Sequence, residues 1–305
     1  LFQAMGGASD WPKVFLSTPV QHEPGTVFKY NNMATFMLSA IVQKTTGEKL
    51  FDFLKPRLFE PLGITNVTWD ERPAGITLGA IGLRISSNDM AKFGQLLLQK
   101  GKWNGKQLIP ESWIDAATSV QIDSSDPGNT NPKESNDWAQ GYGYQFWKSR
   151  HDSYRADGLG GQFIMVLPEK DAVVVLTASS LITQDELNTV WENLLPAMQA
   201  EPLPEDKTSN AALHERIASL AVSKTTSTTP DAALRDRISG KRIAFTPNDL
   251  GVTAVRIDLQ ATDAHVEFEW DSSRHGITAN VDSWALNNTT LNTLNAAPRA
   301  GQAQP

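Results

Sequence analysis

The stretch Phe163-Ile164-Met165-Val166-Leu167, Pro168-Glu169-Lys170-Asp171, Ala172-Val173-Val174-Val175-Leu176-Thr177 decides how this chain folds. Two apolar runs of five and six residues, rich in β-branched side chains, flank four turn-forming residues. That pattern predicts a β-hairpin. The aromatic run Gly141-Tyr142-Gly143-Tyr144-Gln145-Phe146-Trp147 predicts a third strand just upstream. Strands this close in sequence pair antiparallel, because parallel pairing needs a long crossover. A helix over about Asp185 to Met198 is expected to cover one face.

Working outward, Tyr154-Arg155-Ala156-Asp157-Gly158-Leu159-Gly160-Gly161-Gln162 leads straight into the hairpin. Its glycines let backbone approach a ligand closely, and backbone N–H groups on such a strand start can stabilise an oxyanion. A β-bulge or tight turn explains the same residues without function. Further back stands Pro24-Gly25-Thr26-Val27-Phe28-Lys29-Tyr30-Asn31-Asn32-Met33, followed by the apolar Ala34–Val42. Pro24-Gly25 signals a turn, and Asn31 or Asn32 can cap a helix whose apolar residues are too dense for a surface. The Tyr30 hydroxyl and Asn32 amide would then sit at the mouth of a buried helix. A tyrosine so placed can move protons if its surroundings lower its pKa. Gly47 fits that helix's C-cap.

Other signals fill in the first 200 residues. A short helix from Leu50 to about Leu54 is expected to stop at Pro56, before the turn Pro61-Leu62-Gly63. Ser86 with Asp89 forms a capping box for a helix with Met90, Phe93 and Leu97 on one stripe. Asn104-Gly105 is a tight turn, and Pro110 opens another helix. Gln121 to Asp137 reads as a long polar loop, either a functional lid or a mobile segment. Trp138, Tyr144 and Trp147 fit the core better than a pocket.

The 305 residues, 40% hydrophobic and 20% charged, suffice for a sizeable core and more than one domain. A main domain is expected over 1–200 and a linker with a short helix, Ala211 to Leu220, over 201–239. The linker's marks are Glu201-Pro202-Leu203-Pro204-Glu205-Asp206 and Ser223–Pro230. A small β-rich module follows over 240–295, from the alternation in Val252–Leu259 and His265–Trp270, and 296–305 is expected to be a disordered tail. A net charge of −7 with no basic stripe excludes nucleic acid as a partner. With no cysteine there is no thiol nucleophile, disulfide or thiolate metal site. The five histidines, His22, His151, His214, His265 and His275, lack metal-ligand spacing, so no metal is expected. Gly160-Gly161 lacks the lysine of a phosphate loop and precedes a strand. No apolar run reaches the roughly 18 residues of a membrane span.

Taken in order, several blocks resemble the serine β-lactamase and penicillin-binding-protein superfamily, and more closely its β-lactamase-related serine hydrolases, which include class C enzymes and esterases. They are Glu23–Asn32, Leu58-Phe59-Glu60-Pro61-Leu62-Gly63-Ile64, Gly82–Gly94, Gly101–Lys106 and Gly158–Gln162 with its hairpin. The resemblance, over about Leu1 to Ser180, implies an α+β fold with an antiparallel sheet flanked by helices. It implies acyl-enzyme hydrolysis of an ester or amide, as in an esterase, β-lactamase or D-aminopeptidase, with no cofactor and a small-molecule acyl substrate as partner. A non-catalytic binding or scaffold homologue is the alternative. Tyr30 is implied as the proton-transfer residue and Asn32 as a substrate contact. Gly158, Leu159 and Gly160 are implied as further substrate contacts.

The family's Lys-Thr-Gly is matched here by Ala156-Asp157-Gly158, without the cation, which leans toward esters or other small acyl groups over β-lactams. Its Ser-x-x-Lys is absent: no lysine in the 305 residues has serine three positions before it. The nucleophile is therefore expected upstream of Leu1, this chain alone is expected to be inactive, and a periplasmic or secreted location is expected from the resemblance.

Overall fold

The computed structural model describes residues 10–71, 75–125, 132–201, 204–220, 232–248, 251–260, 262–270 and 273–280, with 285 and 287. They belong to two compact units, 1–204 and 205–305. Helices α1 (Trp11–Ser17), α2 (Asn32–Thr46) and α3 (Leu50–Leu54) open the first unit. Strands β1 (Thr68–Trp69) and β2 (Leu83–Arg84), helix α4 (Ser87–Leu98) and the ribbon β3 (Lys102–Trp103) with β4 (Lys106–Gln107) follow. Then come helix α5 (Glu111–Thr118), strands β5 (Trp147–Lys148), β6 (Tyr154–Gly158), β7 (Gln162–Leu167) and β8 (Ala172–Thr177), and helix α6 (Thr183–Thr189).

The principal sheet has the order β5-β6-β7-β8, antiparallel throughout. Its hairpin registers Leu167 with Ala172, and Asp171 takes a positive φ of 46° to close the turn. The period of two puts Phe163, Met165 and Leu167 on one face, where they meet Leu187, Val190 and Trp191. Val166, on the opposite face, packs with Tyr154, Leu97 and Ile114. Each such side chain contributes about 1.5–3 kcal/mol by leaving water, so this two-sided layer anchors the unit. Helices on both faces of an antiparallel sheet are the α+β architecture expected.

Gly94 sets how closely α4 approaches the sheet. A methyl group there would lie 2.5 Å from Val173 Cγ1 and 2.9 Å from Ile164 Cγ2. Both are short β-branched side chains that cannot swing aside. Gly94→Val is therefore expected to destabilise the unit by about 3 kcal/mol, read as a lower urea midpoint.

Several local expectations change. The chain does not leave the helix at Pro56: Lys55–Phe59 continues α3 with wider turns, in which Glu60 N donates to the Lys55 carbonyl at 2.9 Å. The wider spacing accommodates a proline that lacks an N–H and would crowd an ordinary turn. Gly141–Trp147 is not one strand. Gly141 and Gln145 have φ of 113° and 69°, and Tyr142 bridges both Ile122 and Trp147, so the segment folds back on itself. The covering helix begins at Thr183, and after Thr189 it widens over Val190–Leu194 and tightens over Leu195–Ala197. Residues 126–131, at the centre of the expected polar loop, lie outside the described residues.

In the second unit, helix α7 (Lys207–Ser219) is capped by Asp206, which accepts from Ser209 N at 2.9 Å, and α8 (Ala232–Ile238) follows. Strands β9 (Lys241–Ala244), β10 (Ala254–Leu259), β11 (Asp263–Trp270) and β12 (Ser273–Asn280) form an antiparallel meander. Buried Glu269 accepts from Arg242 Nε at 2.8 Å, an ion pair between the first and third of its strands. The expected Ser223–Pro230 linker and the tail from 296 lie outside the described residues. Among the described residues no helix is long and apolar enough to cross a membrane.

Candidate active site

The turn at Pro24-Gly25 is closed by Thr26 N donating to the Glu23 carbonyl, with Gly25 at a φ of 83°. The chain then reaches Tyr30 in time for Asn31 to cap α2: its side-chain oxygen accepts from Met33 N at 2.9 Å. Asn31, not Asn32, is the cap, which leaves Asn32 as the first helical residue. Of this helix only Met33, Phe36 and Ser39 are buried, whereas Leu38 and Ile41 are exposed, so it is buried along one stripe and not all round. Tyr30 and Asn31 line an open cleft of about 720 Å³, bordered by Phe15, His22 and Val27.

The Tyr30 ring stacks on Trp147 at 5.8 Å between centroids and 23° between planes, and meets Tyr142 edge-on at 6.4 Å. Phe28 packs on the same two rings at 5.4 Å and 4.9 Å. Offset and edge-on pairs of this kind contribute about 0.5–1.5 kcal/mol each beyond area burial. They fix the ring of a tyrosine that remains 53% exposed. Trp147 in turn is registered opposite Arg155 on β6. The tyrosine is thus set against the sheet edge whose next strand ends at Gly158.

Partial burial and, after it, the charge of Asp157 both raise the Tyr30 pKa. The lowered pKa that proton abstraction would use is therefore not produced by the described residues; a nearby cation would have to supply it. Gly158 is registered with Gln162, so Leu159, Gly160 and Gly161 form a three-residue hairpin turn. Gly160 and Gly161 have φ of 82° and 87°, and their carbonyls accept from Ser180 N and Ala178 N. The tight-turn explanation is therefore correct for the backbone. Leu159 projects from this turn with its side chain 93% exposed.

Beneath the turn lies a network that the sequence did not announce. Arg155 is fully buried and donates from Nε to Asp157 Oδ2 at 2.9 Å, and from Nη1 to the Asp137 carbonyl at 3.0 Å and Ser149 Oγ at 2.5 Å. Its guanidinium lies 4.6 Å from the Trp138 ring centroid. Burial lowers the Arg155 pKa despite the two aspartates, and burial raises that of Asp157 against the pull of Arg155. The available signal was the pair Arg155 and Asp157 at positions i and i+2 of a strand. That spacing puts both on one face, and the register puts that face against the apolar Met165 and Phe163. Trp138 and Trp147 are packed into this layer, as expected for core aromatics, whereas Tyr144 is exposed and stacks on Trp113 at 5.6 Å. Among the described residues no group of three or more histidine, aspartate or glutamate side chains is placed to hold a metal.

A protein-family model described as Beta-lactamase matches residues 3–199, well over half of the chain. The 6-aminohexanoate-dimer hydrolase of Paenarthrobacter ureafaciens is 26% identical over 172 residues, which are 54% of this chain and 42% of that protein. A solved structure from Bacillus anthracis, described as a candidate 6-aminohexanoate-dimer hydrolase, superposes with a TM-score of 0.53 at 26% identity. The match covers 63% of this chain and 48% of that one. The chain therefore spans less than half the length of these relatives. With the hairpin sheet, its flanking helices and the matched span in agreement, this chain belongs to the β-lactamase family.

Proposed function

We propose that this chain carries the tyrosine and strand side of a serine acyl-transfer site that hydrolyses an ester or amide of a small acyl substrate. The observation that carries this reading is Tyr30, fixed by Trp147 and Tyr142 beside the sheet edge, at the opening of an asparagine-capped helix of a β-lactamase-family chain. The serine and its lysine would come from sequence outside these 305 residues. The serine oxygen attacks the acyl carbon and the scissile C–O or C–N bond breaks. The departing oxygen or nitrogen takes a proton delivered through Tyr30. Water then attacks the acyl-enzyme and releases the acid. Backbone N–H groups at Gly158 to Gly160 would hold the oxyanion, and the Asn32 amide would orient the substrate. The amide substrate named for the P. ureafaciens relative supports amides alongside esters.

A binding or scaffold protein is the second reading. It is favoured by Ala156 in place of the family's lysine and by the raised Tyr30 pKa. A fluorescent fluorophosphonate decides between the two, because it labels only an activated serine. The polypeptide encoded by the whole gene is expected to be labelled on the serine of a Ser-x-x-Lys motif, and the 305-residue chain to remain unlabelled. An unlabelled whole-gene product would overturn the hydrolase reading.

A further inference from the structure

The segment 141–147 that fixes Tyr30 through Tyr142 and Trp147 also carries an aromatic side chain to the surface. Tyr144 stacks on Trp113 of α5 with only 13° between the ring planes, and the two residues stay 46% and 53% exposed. Although open to water, the pair is held firmly. Tyr144 N donates to the Ala117 carbonyl at 2.9 Å, and a methyl group on Gly143 would lie 2.1 Å from that same oxygen. Gln145 takes a φ of 69°, which a residue with a side chain keeps only where its surroundings impose it. Its amide oxygen accepts from Thr35 Oγ1 of α2 at 2.7 Å. A strained tip tied to two helices thus presents two near-parallel rings to solvent.

The size of this patch decides between occupants. A large aromatic side chain offers about 150–250 Å², so the exposed parts of these two come to about 200 Å². Even with exposed Val120, which packs against Gly141, the apolar area is about 300 Å². A stable protein partner covers about 800 Å² on each side, so the patch is too small for one. A stacked nucleobase would need cations for its phosphates. The chain has a net charge of −7, and Lys100, which reaches α5, is already paired with Asp115. An alkyl chain is held in a concave pocket, not on a flat face. The groups beside the rings are uncharged. The Gln145 NH₂ has no partner among the described residues. Gln121, whose backbone N–H donates to the Tyr142 carbonyl, uses its NH₂ on Ala116 and Ser119 and leaves its amide oxygen open. A pyranose with equatorial hydroxyls matches both features: its axial C–H bonds make a flat apolar face, and its hydroxyls lie at the edge within reach of amides.

We propose that Trp113 and Tyr144 form a carbohydrate-binding platform that stacks a β-glucopyranose ring, with Gln145 and Gln121 bonding its hydroxyls. The platform is independent of the acyl-transfer reading, and its test needs no nucleophile. The 305-residue chain is titrated calorimetrically with cellotriose at neutral pH. A dissociation constant of about 1 mM is expected. Trp113→Ala and Tyr144→Ala are each expected to weaken binding about tenfold or more, with urea unfolding confirming that both variants are folded. Trp113→Phe, which keeps a stacking ring, is expected to bind within about threefold of the native chain.

No binding of cellotriose at about ten times the expected constant would overturn the assignment, and so would native affinity in both alanine variants. Loss in Trp113→Phe as complete as in Trp113→Ala would remove stacking as the cause and overturn it as well. Phenol bound as tightly as cellotriose would show a plain apolar patch, and dimerisation abolished by Trp113→Ala would show a contact between copies; either result also overturns it. Fluorophosphonate labelling reports separately on the hydrolase reading, so the failure of one leaves the other standing.

Discussion

Tyr30→Phe in the whole-gene product is expected to lower kcat for a p-nitrophenyl ester by about 10²- to 10⁴-fold, with KM changed only a few-fold. The split follows from geometry. The ring that stacks on Trp147 and meets Tyr142 edge-on is retained in phenylalanine, so the aromatic layer and the cleft it borders keep their shape. Only the hydroxyl is lost, and with it, on the proposed mechanism, the path by which a proton reaches the leaving group.

The direction of the Tyr30 shift adds a second observable. Burial and Asp157 raise its pKa, so without a cation the phenol stays protonated at neutral pH. A lysine placed beside it would oppose both effects. If Tyr30 acts as the base, kcat/KM rises toward alkaline pH, and that rise disappears in Tyr30→Phe. A phenylalanine variant with undiminished kcat would remove Tyr30 from the chemistry.

How far the sequence carried depended on whether a signal was local. Leu167 to Ala172 was legible because four turn residues separate two apolar runs, and period-two packing follows once they pair. Caps were legible for the same reason. Ser86 Oγ accepts from Asp89 N at 3.2 Å and donates to its carboxylate at 2.8 Å, and Gly47 closes α2 at a φ of 77°. Pro56 misled because its steric conflict with a preceding carbonyl has two solutions, ending the helix or widening its turns, and the choice lies in tertiary packing. Phe59, buried with Leu62, Ile64 and Leu96, favours continuation here.

The aromatic run 141–147 misled because the close approach of Gly143 to the Ala117 carbonyl, with Tyr144 N donating to it at 2.9 Å, is a long-range constraint. At the site, Tyr30 and Gly158 could be singled out by residue type and order. Arg155 and Asp157 were legible only as a strand pair at positions i and i+2, because a charged side chain reads as surface until its partners are known.

Asp137→Ala is expected to cost the first unit about 3–5 kcal/mol, the range for removing one partner of a buried ion pair. Asp137 has no exposed surface, and its carboxylate accepts from five donor groups. Oδ1 takes the Arg150 backbone N–H at 2.9 Å. Oδ2 takes Arg150 Nε and Nη2, Gln184 Nε2 and Trp191 Nε1 at 2.7 to 3.1 Å. These donors come from the bend before β6, from α6 and from the widened turn after it. One side chain therefore ties the sheet to its covering helix. Alanine would leave the buried Trp191 indole N–H without its acceptor and the Arg150 charge without its carboxylate, with only Asn188 Oδ1 still accepting from Arg150 Nη2.

Burial opposes the Asp137 charge, but hydrogen bonds from Gln184, Arg150 and Trp191 outweigh it and hold the pKa below its ordinary 3.8. A carboxyl lowered on folding stabilises the native state at every pH above its unfolded value, and that share is lost as pH falls through the folded value. In urea unfolding, the native chain is expected to lose stability steeply below about pH 4. Asp137→Ala, already destabilised at pH 7, should lose less over the same interval. Parallel pH curves for the two proteins would show that this carboxylate does not hold the helix to the sheet through its charge.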